Sequence, residues 1–191
     1  GLSFVDQLNG QFAFCLWDAR AQKAILVRDR VGIAPLFYSL DDGGLWVASE
    51  IKAILSGRQQ APRANLAAFR QMLNFWAPIA PDTIFEGIHE VPAGEMLIFQ
   101  NGKLEQQRYW DLRFPRAQDY VPVDEEQAAE ELYQRLNEAV HVRLQADVPV
   151  AAYLSGGLDS AVISTLMRGH IGSKFQTFSL TFSDPGLDES S

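Results

Sequence analysis

Over the first hundred positions of this 191-residue chain, apolar residues come in short runs of four to six, broken by turn-forming residues. Residues 12–17 (Phe-Ala-Phe-Cys-Leu-Trp) and 24–27 (Ala-Ile-Leu-Val) are two such runs, separated by the turn-prone 18–23. Their length and their β-branched and aromatic content predict strands. Runs 36–40 and 45–48 flank Asp41-Asp-Gly-Gly44, a hairpin signal because Asp and Gly tolerate positive φ. Runs 96–99 and 104–110 flank Gln100-Asn-Gly-Lys103, where Asn101-Gly102 suits a type I′ turn. Between these hairpins Asn65 is placed to cap a helix. Its Leu66, Phe69, Leu73 and Trp76 recur at three- and four-residue steps, and Pro78 and Pro81 follow. That stripe is expected to be core.

The pattern then lengthens. Residues 113–122 are polar, contain two prolines and show no period, so they read as a linker. From 124 to 146, Ala128, Leu132, Leu136, Val140 and Leu144 repeat every four residues, and Asp124 with Gln127 resembles a capping box. Asp147-Val-Pro149 ends this helix and feeds 150–154, an apolar strand of the kind buried in a parallel sheet. A glycine loop, a second helix over 160–168 stopped by Gly169, and a strand over 175–182 complete the order. Helix, strand, glycine loop, helix, strand is the start of an α/β domain. The expected organisation is an α+β domain over 1–112, a linker over 113–122 and an α/β portion over 123–191.

Composition narrows the classes. Hydrophobic residues make up 47% and charged residues 21%, which excludes a disordered or collagen-like chain. No apolar run approaches the ~20 residues that span a bilayer, so no membrane partner is expected. The absence of a basic-then-apolar leader and the single cysteine, Cys15, fit a cytoplasmic location. Charge is uneven: residues 1–120 carry 12 Lys/Arg against 13 Asp/Glu, and residues 121–191 carry 4 against 11. Neither part has the basic stripe of a nucleic-acid binder, so nucleic acid is not an expected partner. Any polyphosphate bound by the acidic part has to be held by backbone N–H groups, a metal, or basic residues from elsewhere.

Ser155-Gly156-Gly157-Leu158-Asp159-Ser160, between the apolar strand and the second helix, supplies such a cradle. Two glycines let the backbone turn tightly and approach an anion with no Cβ in the way. The helix N-terminus behind them aims unpaired N–H groups and partial positive charge at the same point. Ser155 and Ser160 add hydroxyl donors, and Asp159 is suited to hold a Mg²⁺ that bridges phosphate oxygens. The loop is not a Walker A sequence, since it lacks Gly-x-x-x-x-Gly-Lys-Ser/Thr and no Lys occurs between 104 and 173.

A Ser-Gly-Gly-x-Asp-Ser loop after a buried strand resembles the PP-loop of ATP pyrophosphatases, which cut ATP to AMP and pyrophosphate. Residues 147–160 resemble, more narrowly, the synthetase domain of glutamine-hydrolysing asparagine synthetases. Residues 8–14, 28–38 and 48–53 resemble the later half of that family's class II (Ntn-type) glutaminase domain. Residues 83–94, Tyr109-Trp-Asp111 and 178–190 fit the same family, in family order. The fold implied is an α+β Ntn-type glutaminase half-domain followed by the start of an α/β PP-loop domain. The activity implied is ATP-dependent amidation of aspartate to asparagine by glutamine-derived ammonia, through β-aspartyl-AMP, with release of AMP and pyrophosphate. ATP and Mg²⁺, with glutamine and aspartate as the other small-molecule substrates, are the ligands this implies. By similarity Leu154 and Leu180 contact the nucleotide beside 155–160, and a homodimer is implied by analogy. The same architecture with a different carboxylate acceptor, or a noncatalytic nucleotide-binding scaffold, are the alternatives.

In that family the glutaminase nucleophile is an N-terminal cysteine whose own α-amine is the base. Here Cys15 lies inside an apolar run and is expected to be buried packing, so no catalytic residue is assigned. The chain is expected to be an internal slice across the domain junction, unable by itself to hydrolyse glutamine. Arg28-Asp29-Arg30 is read as a charged turn or structural ion pair. His89, His141 and His170 lie far apart without metal-ligand spacing, so they are not expected to bind a metal. Asp184, Asp188 and Glu189 are read as a solvated loop, and residues 124–126 as a helix N-terminus.

Overall fold

The computed structural model describes residues 1–41, 44–58 and 61–181, which divide into two compact units, 1–114 and 115–191. In the first unit, β1 (Ala13–Asp18), β2 (Lys23–Arg28), β3 (Phe37–Asp41) and β4 (Gly44–Ala48) come first. Helices α1 (Ile51–Gly57) and α2 (Leu66–Phe75) follow, then β5 (His89–Glu90), β6 (Glu95–Gln100) and β7 (Lys103–Arg108). The strands form two antiparallel sheets, ordered β1-β2-β6-β7 and β4-β3-β5. Pairing places Leu26 opposite Leu97, and these with Ala24 pack against Leu36, Tyr38 and Val91 between the sheets. The alternate residues Ile25, Val27 and Met96 turn to the other face and pack on Val5 of a 3-10 turn over Leu2–Gln7. A strand apolar on both faces is what a central strand between two packed layers requires, and β2 is that strand.

The turns follow their sequence. Asn101 and Gly102 both have positive φ, as a type I′ turn demands. Asp41 pairs with Gly44 across the other hairpin, whose two central residues lie outside the described residues. Asn65 caps α2 by accepting from the N–H groups of Ala67 and Ala68. The apolar stripe of α2 is a correction: Leu66, Leu73 and Trp76 are exposed, Phe69 marginally so, and Ala68 is the residue that goes into the core. Polar links hold the helix instead, with Gln71 bonding both the Asp82 carboxylate and the Ile79 N–H. A 3.6-residue period marks one apolar face and does not decide what covers it. Helix α1 was not legible in the sequence; at seven residues it is too short for a period to declare itself.

The second unit contains α3 (Glu125–Arg143), β8 (Ala151–Tyr153), α4 (Leu158–Ile171) and β9 (Gln176–Phe178). Strands β8 and β9 pair in parallel, with α4 as the crossover between them. Val140, Leu166 and Met167 form its buried cluster, packed by Leu136, Leu144 and Val150. Asp124 caps α3 by accepting from the Gln127 N–H.

Three expectations are corrected here. β8 is not buried, because one strand partner and one packed helix leave Tyr153 80% exposed. α4 starts at Leu158 and runs through Gly169 to Ile171, and Gly172 ends it with a φ of +77° that side chains rarely adopt. β9 is three residues long, and Phe182, the expected end of that strand, lies outside the described residues.

Candidate functional site

The loop 155–160 joins the end of β8 to the start of α4. Gly156 takes φ +84°, a conformation that a side chain would strain, and this swings the backbone out of the strand. Gly157 is the N-cap residue of α4, and no side chain caps it. A helix start without a side-chain cap presents its first-turn N–H groups to whatever anion arrives. The two serines brace the loop: Ser160 Oγ donates to the Gly157 carbonyl at 2.9 Å and accepts from the Ser155 N–H at 3.2 Å. The two hydroxyl oxygens stand 3.0 Å apart. Asp159 lies in the first turn of α4, exposed with the rest of the loop apart from half-buried Ser160.

Leu154 and Leu180 lie just beyond the carboxyl ends of β8 and β9. The ladder continues past β8, since the Leu154 N–H donates to the Phe178 carbonyl at 2.8 Å. In open α/β sheets ligands collect at the carboxyl ends of parallel strands, so the fold brings all eight sequence-predicted site residues to one edge. A cavity of about 500 Å³ reaches one of them, Leu154, and is lined further by Ser164, Thr165, Arg168, Phe175 and Thr177. The Ser164 hydroxyl is buried beside it with no hydrogen-bond partner among the described residues, and the sequence offered no sign of it because a helix-interior Ser carries no signal of its own. Backbone donors, two hydroxyls and one carboxylate are the donor set that a phosphate and a hard divalent cation use, so the loop fits Mg²⁺ and polyphosphate.

In the first unit the Arg28-Asp29-Arg30 turn is structural, as expected. Arg28 is buried and donates to the carbonyls of Ala34, Val91 and Gly32 while pairing with Glu90 at 2.8 Å. Asp29 is fully buried and accepts from the N–H groups of Val31, Ile33 and Ala34 at 2.9–3.2 Å. Burial pushes its carboxyl pKa up, but the N–H groups of Ala34, Ile33 and Val31 more than offset this and hold it below the ordinary value. Tyr109 donates from its hydroxyl to the Arg28 carbonyl at 2.6 Å.

Cys15 is exposed on the edge strand β1, not buried. It faces a cleft lined by Trp17, Ala24, Leu45, Val47 and Phe99, contributed by β1, β2 and β6 of one sheet and by β4 of the other. These side chains take water from its sulfur and push the thiol pKa up, the wrong direction for a nucleophile. Of the histidines, His89 packs on Tyr38, while His141 of α3 and His170 of α4, well separated in sequence, meet ring to ring. Asp184, Asp188 and Glu189 lie outside the described residues.

Two family matches fall in order along the chain. The glutamine amidotransferase domain family matches residues 1–110, and the asparagine synthase family matches residues 131–191. The chain belongs to the glutamine-hydrolysing asparagine synthetase family. A protein named amidase chyE from Penicillium rubens is 41% identical over all of this chain and 30% of its own length. A putative glutamine-hydrolysing asparagine synthetase 2 from Methanocaldococcus jannaschii is 34% identical over 95% of this chain and 36% of its own. Asparagine synthetase 3 of Bacillus subtilis is 35% identical over 87% of this chain and 26% of its own. The chain therefore spans about a third of the length of the curated relatives it matches. Among solved structures, the glutamine phosphoribosylpyrophosphate amidotransferase of B. subtilis with ADP and GMP covers 92% of this chain and 33% of its own. The TM-score of that match is 0.35, at 17% identity. Among the described residues no helix is long and apolar enough to cross a membrane.

Proposed function

We propose that this chain is the junction of a glutamine-dependent amide-forming ligase, with part of a glutaminase domain in its first unit and the start of an ATP-using synthetase domain in its second. The observation that carries the reading is one chain in which an amidotransferase-family unit precedes a Ser-Gly-Gly-x-Asp-Ser loop set between a parallel strand and its crossover helix. The reaction is amidation of aspartate by ammonia drawn from glutamine. A carboxylate is a poor electrophile until one oxygen becomes a leaving group, and ATP supplies that group as AMP, through β-aspartyl-AMP. The 155–160 backbone N–H groups with the Ser155 and Ser160 hydroxyls hold the phosphate oxygens, and Asp159 holds Mg²⁺. Leu154 and Leu180 flank the nucleotide. Glutamine hydrolysis is not assigned to these 191 residues, whose one cysteine, Cys15, has no amine beside it and a raised pKa.

A second acceptor class has specific support. The 41%-identical relatives from Penicillium rubens and Gibberella zeae are named amidases, so the same architecture acting on a carboxylate other than aspartate is the alternative. The test is pyrophosphate release from Mg·ATP by a protein containing this chain together with the remaining family domains, with and without aspartate. Stimulation by aspartate with asparagine formed supports the first acceptor. ATP binding without stimulation overturns it in favour of another, and failure to bind ATP overturns the ligase reading.

A further inference from the structure

The contact between His141 and His170 has no part in that chemistry. His141 lies in the last turn of α3 and His170 in the last turn of α4. Both are exposed, and their ring centroids are 4.9 Å apart with the planes inclined at 36°. Val140, next to His141, and Met167, one turn before His170, belong to the buried cluster that joins the two helices, so the backbone on both sides of the pair is packed.

The separation suits a shared ion. With metal–nitrogen bonds of ~2.0–2.1 Å, each ring centroid lies about 3.2 Å from the metal, so two rings on one ion stand roughly 4.5 Å apart at a right angle and about 5.2 Å apart at the tetrahedral angle. The observed 4.9 Å falls between. A second observation concerns the tautomer. His170 Nε2 lies 2.9 Å from Asn137 Oδ1, one helical turn before His141 on α3. An amide oxygen only accepts, so Nε2 carries the proton and the neutral ring keeps its lone pair on Nδ1. Orientation of one imidazole nitrogen by a carbonyl, leaving the other free, is the arrangement found around metal-ligating histidines.

We propose that His141 and His170 form a two-imidazole site for a divalent transition cation of the zinc, nickel and copper class, clamping α3 to the helix that begins at the 155–160 loop. Among the described residues no group of three or more His, Cys, Asp or Glu surrounds a common point, so water fills the remaining positions on the ion. Imidazole selects these ions over Mg²⁺, which distinguishes this site from the Asp159 loop.

The test is calorimetric titration of the nucleotide-free 191-residue chain with Zn²⁺, Ni²⁺, Cu²⁺ and Mg²⁺. The expected result is one transition ion per chain, Cu²⁺ tightest, and no heat from Mg²⁺ at this site. His141→Ala and His170→Ala each weaken binding at least tenfold, Asn137→Ala weakens it less, and His89→Ala leaves it unchanged. Electron paramagnetic resonance of the Cu²⁺-loaded unsubstituted chain, which needs no variant to fold, should show two coordinated imidazole nitrogens. Absence of stoichiometric binding, binding indifferent to both His substitutions, or a spectrum with fewer than two imidazoles overturns the proposal.

Discussion

The two units reach order by different means. The first closes a sandwich: two sheets share an apolar interior, a 3-10 turn covers the outer face of one, and the connecting turn is cross-braced by Arg28, Asp29 and Tyr109. Among its described residues the second has two three-residue strands and two α-helices, and of these residues only Val140, Leu166, Met167 and Ser164 are buried. Its sheet edge carries the candidate chemistry while its apolar residues Tyr153, Phe178 and Leu180 stay exposed. A parallel sheet draws its stability from coverage on both faces, so two strands and one packed helix bury little. The difference teaches that the phosphate-binding geometry is local, set by glycine and helix start, whereas the stability behind it is not.

That contrast can be broken with two optical probes. All four tryptophans lie in the first unit, and the longest helices lie in the second. Tryptophan fluorescence and helical circular dichroism therefore report different units, and in urea the dichroism transition should come first. Coincident transitions would mean that the units unfold as one.

The largest expected effect is Asp29→Ala, which removes the buried carboxylate that accepts from the Val31, Ile33 and Ala34 N–H groups and should cost about 3 kcal/mol. It should move the fluorescence midpoint and spare the dichroism one. The same carboxyl sets an acid limit. Because its folded pKa is depressed, its stabilisation is complete above the unfolded carboxyl value of about 4 and is lost as pH falls through the folded pKa. Midpoints measured in urea across that window should fall less steeply with acid in Asp29→Asn than in the unsubstituted chain.

Leu166→Ala should cost about 2 kcal/mol, a large share of what the second unit has, and should advance the dichroism transition alone. Gly94→Ala is expected to cost about 2 kcal/mol in the first unit. Gly94 has φ +68°, and an added Cβ would collide with the Trp110 carbonyl oxygen, so the fluorescence midpoint should drop. The smallest effect on stability is Asp159→Ala, at most about 0.5 kcal/mol from a lost first-turn charge. Its consequence belongs to binding: Mg·ATP affinity should fall at least tenfold with both midpoints nearly unmoved.

Much of the first unit was legible because its signals are local. Alternation fixes which face of β2 and β6 a side chain takes, and Asn101-Gly102 and Asn65 act on backbone within three residues of themselves. The loop 155–160 was legible for the same reason. What failed depended on neighbours. Cys15 and the α2 stripe are apolar positions that only a complete covering layer could bury, and in the described residues the cover is partial at Cys15 and Phe69 and lacking over Leu66, Leu73 and Trp76.

The sequence by itself determined the order of the strands and helices other than α1 and β5, the turn chemistry, the glycine loop and its place between strand and helix, and the family those patterns resemble. Tertiary structure alone decided which apolar faces are covered, that Ser164 is buried on the cavity that reaches Leu154 with no hydrogen-bond partner among the described residues, and that Arg28 reaches across to the Val91 carbonyl. It alone joined His141 to His170, because packing of α3 on α4 through Val140 and Met167 sets that distance, and no spacing along the chain encodes it.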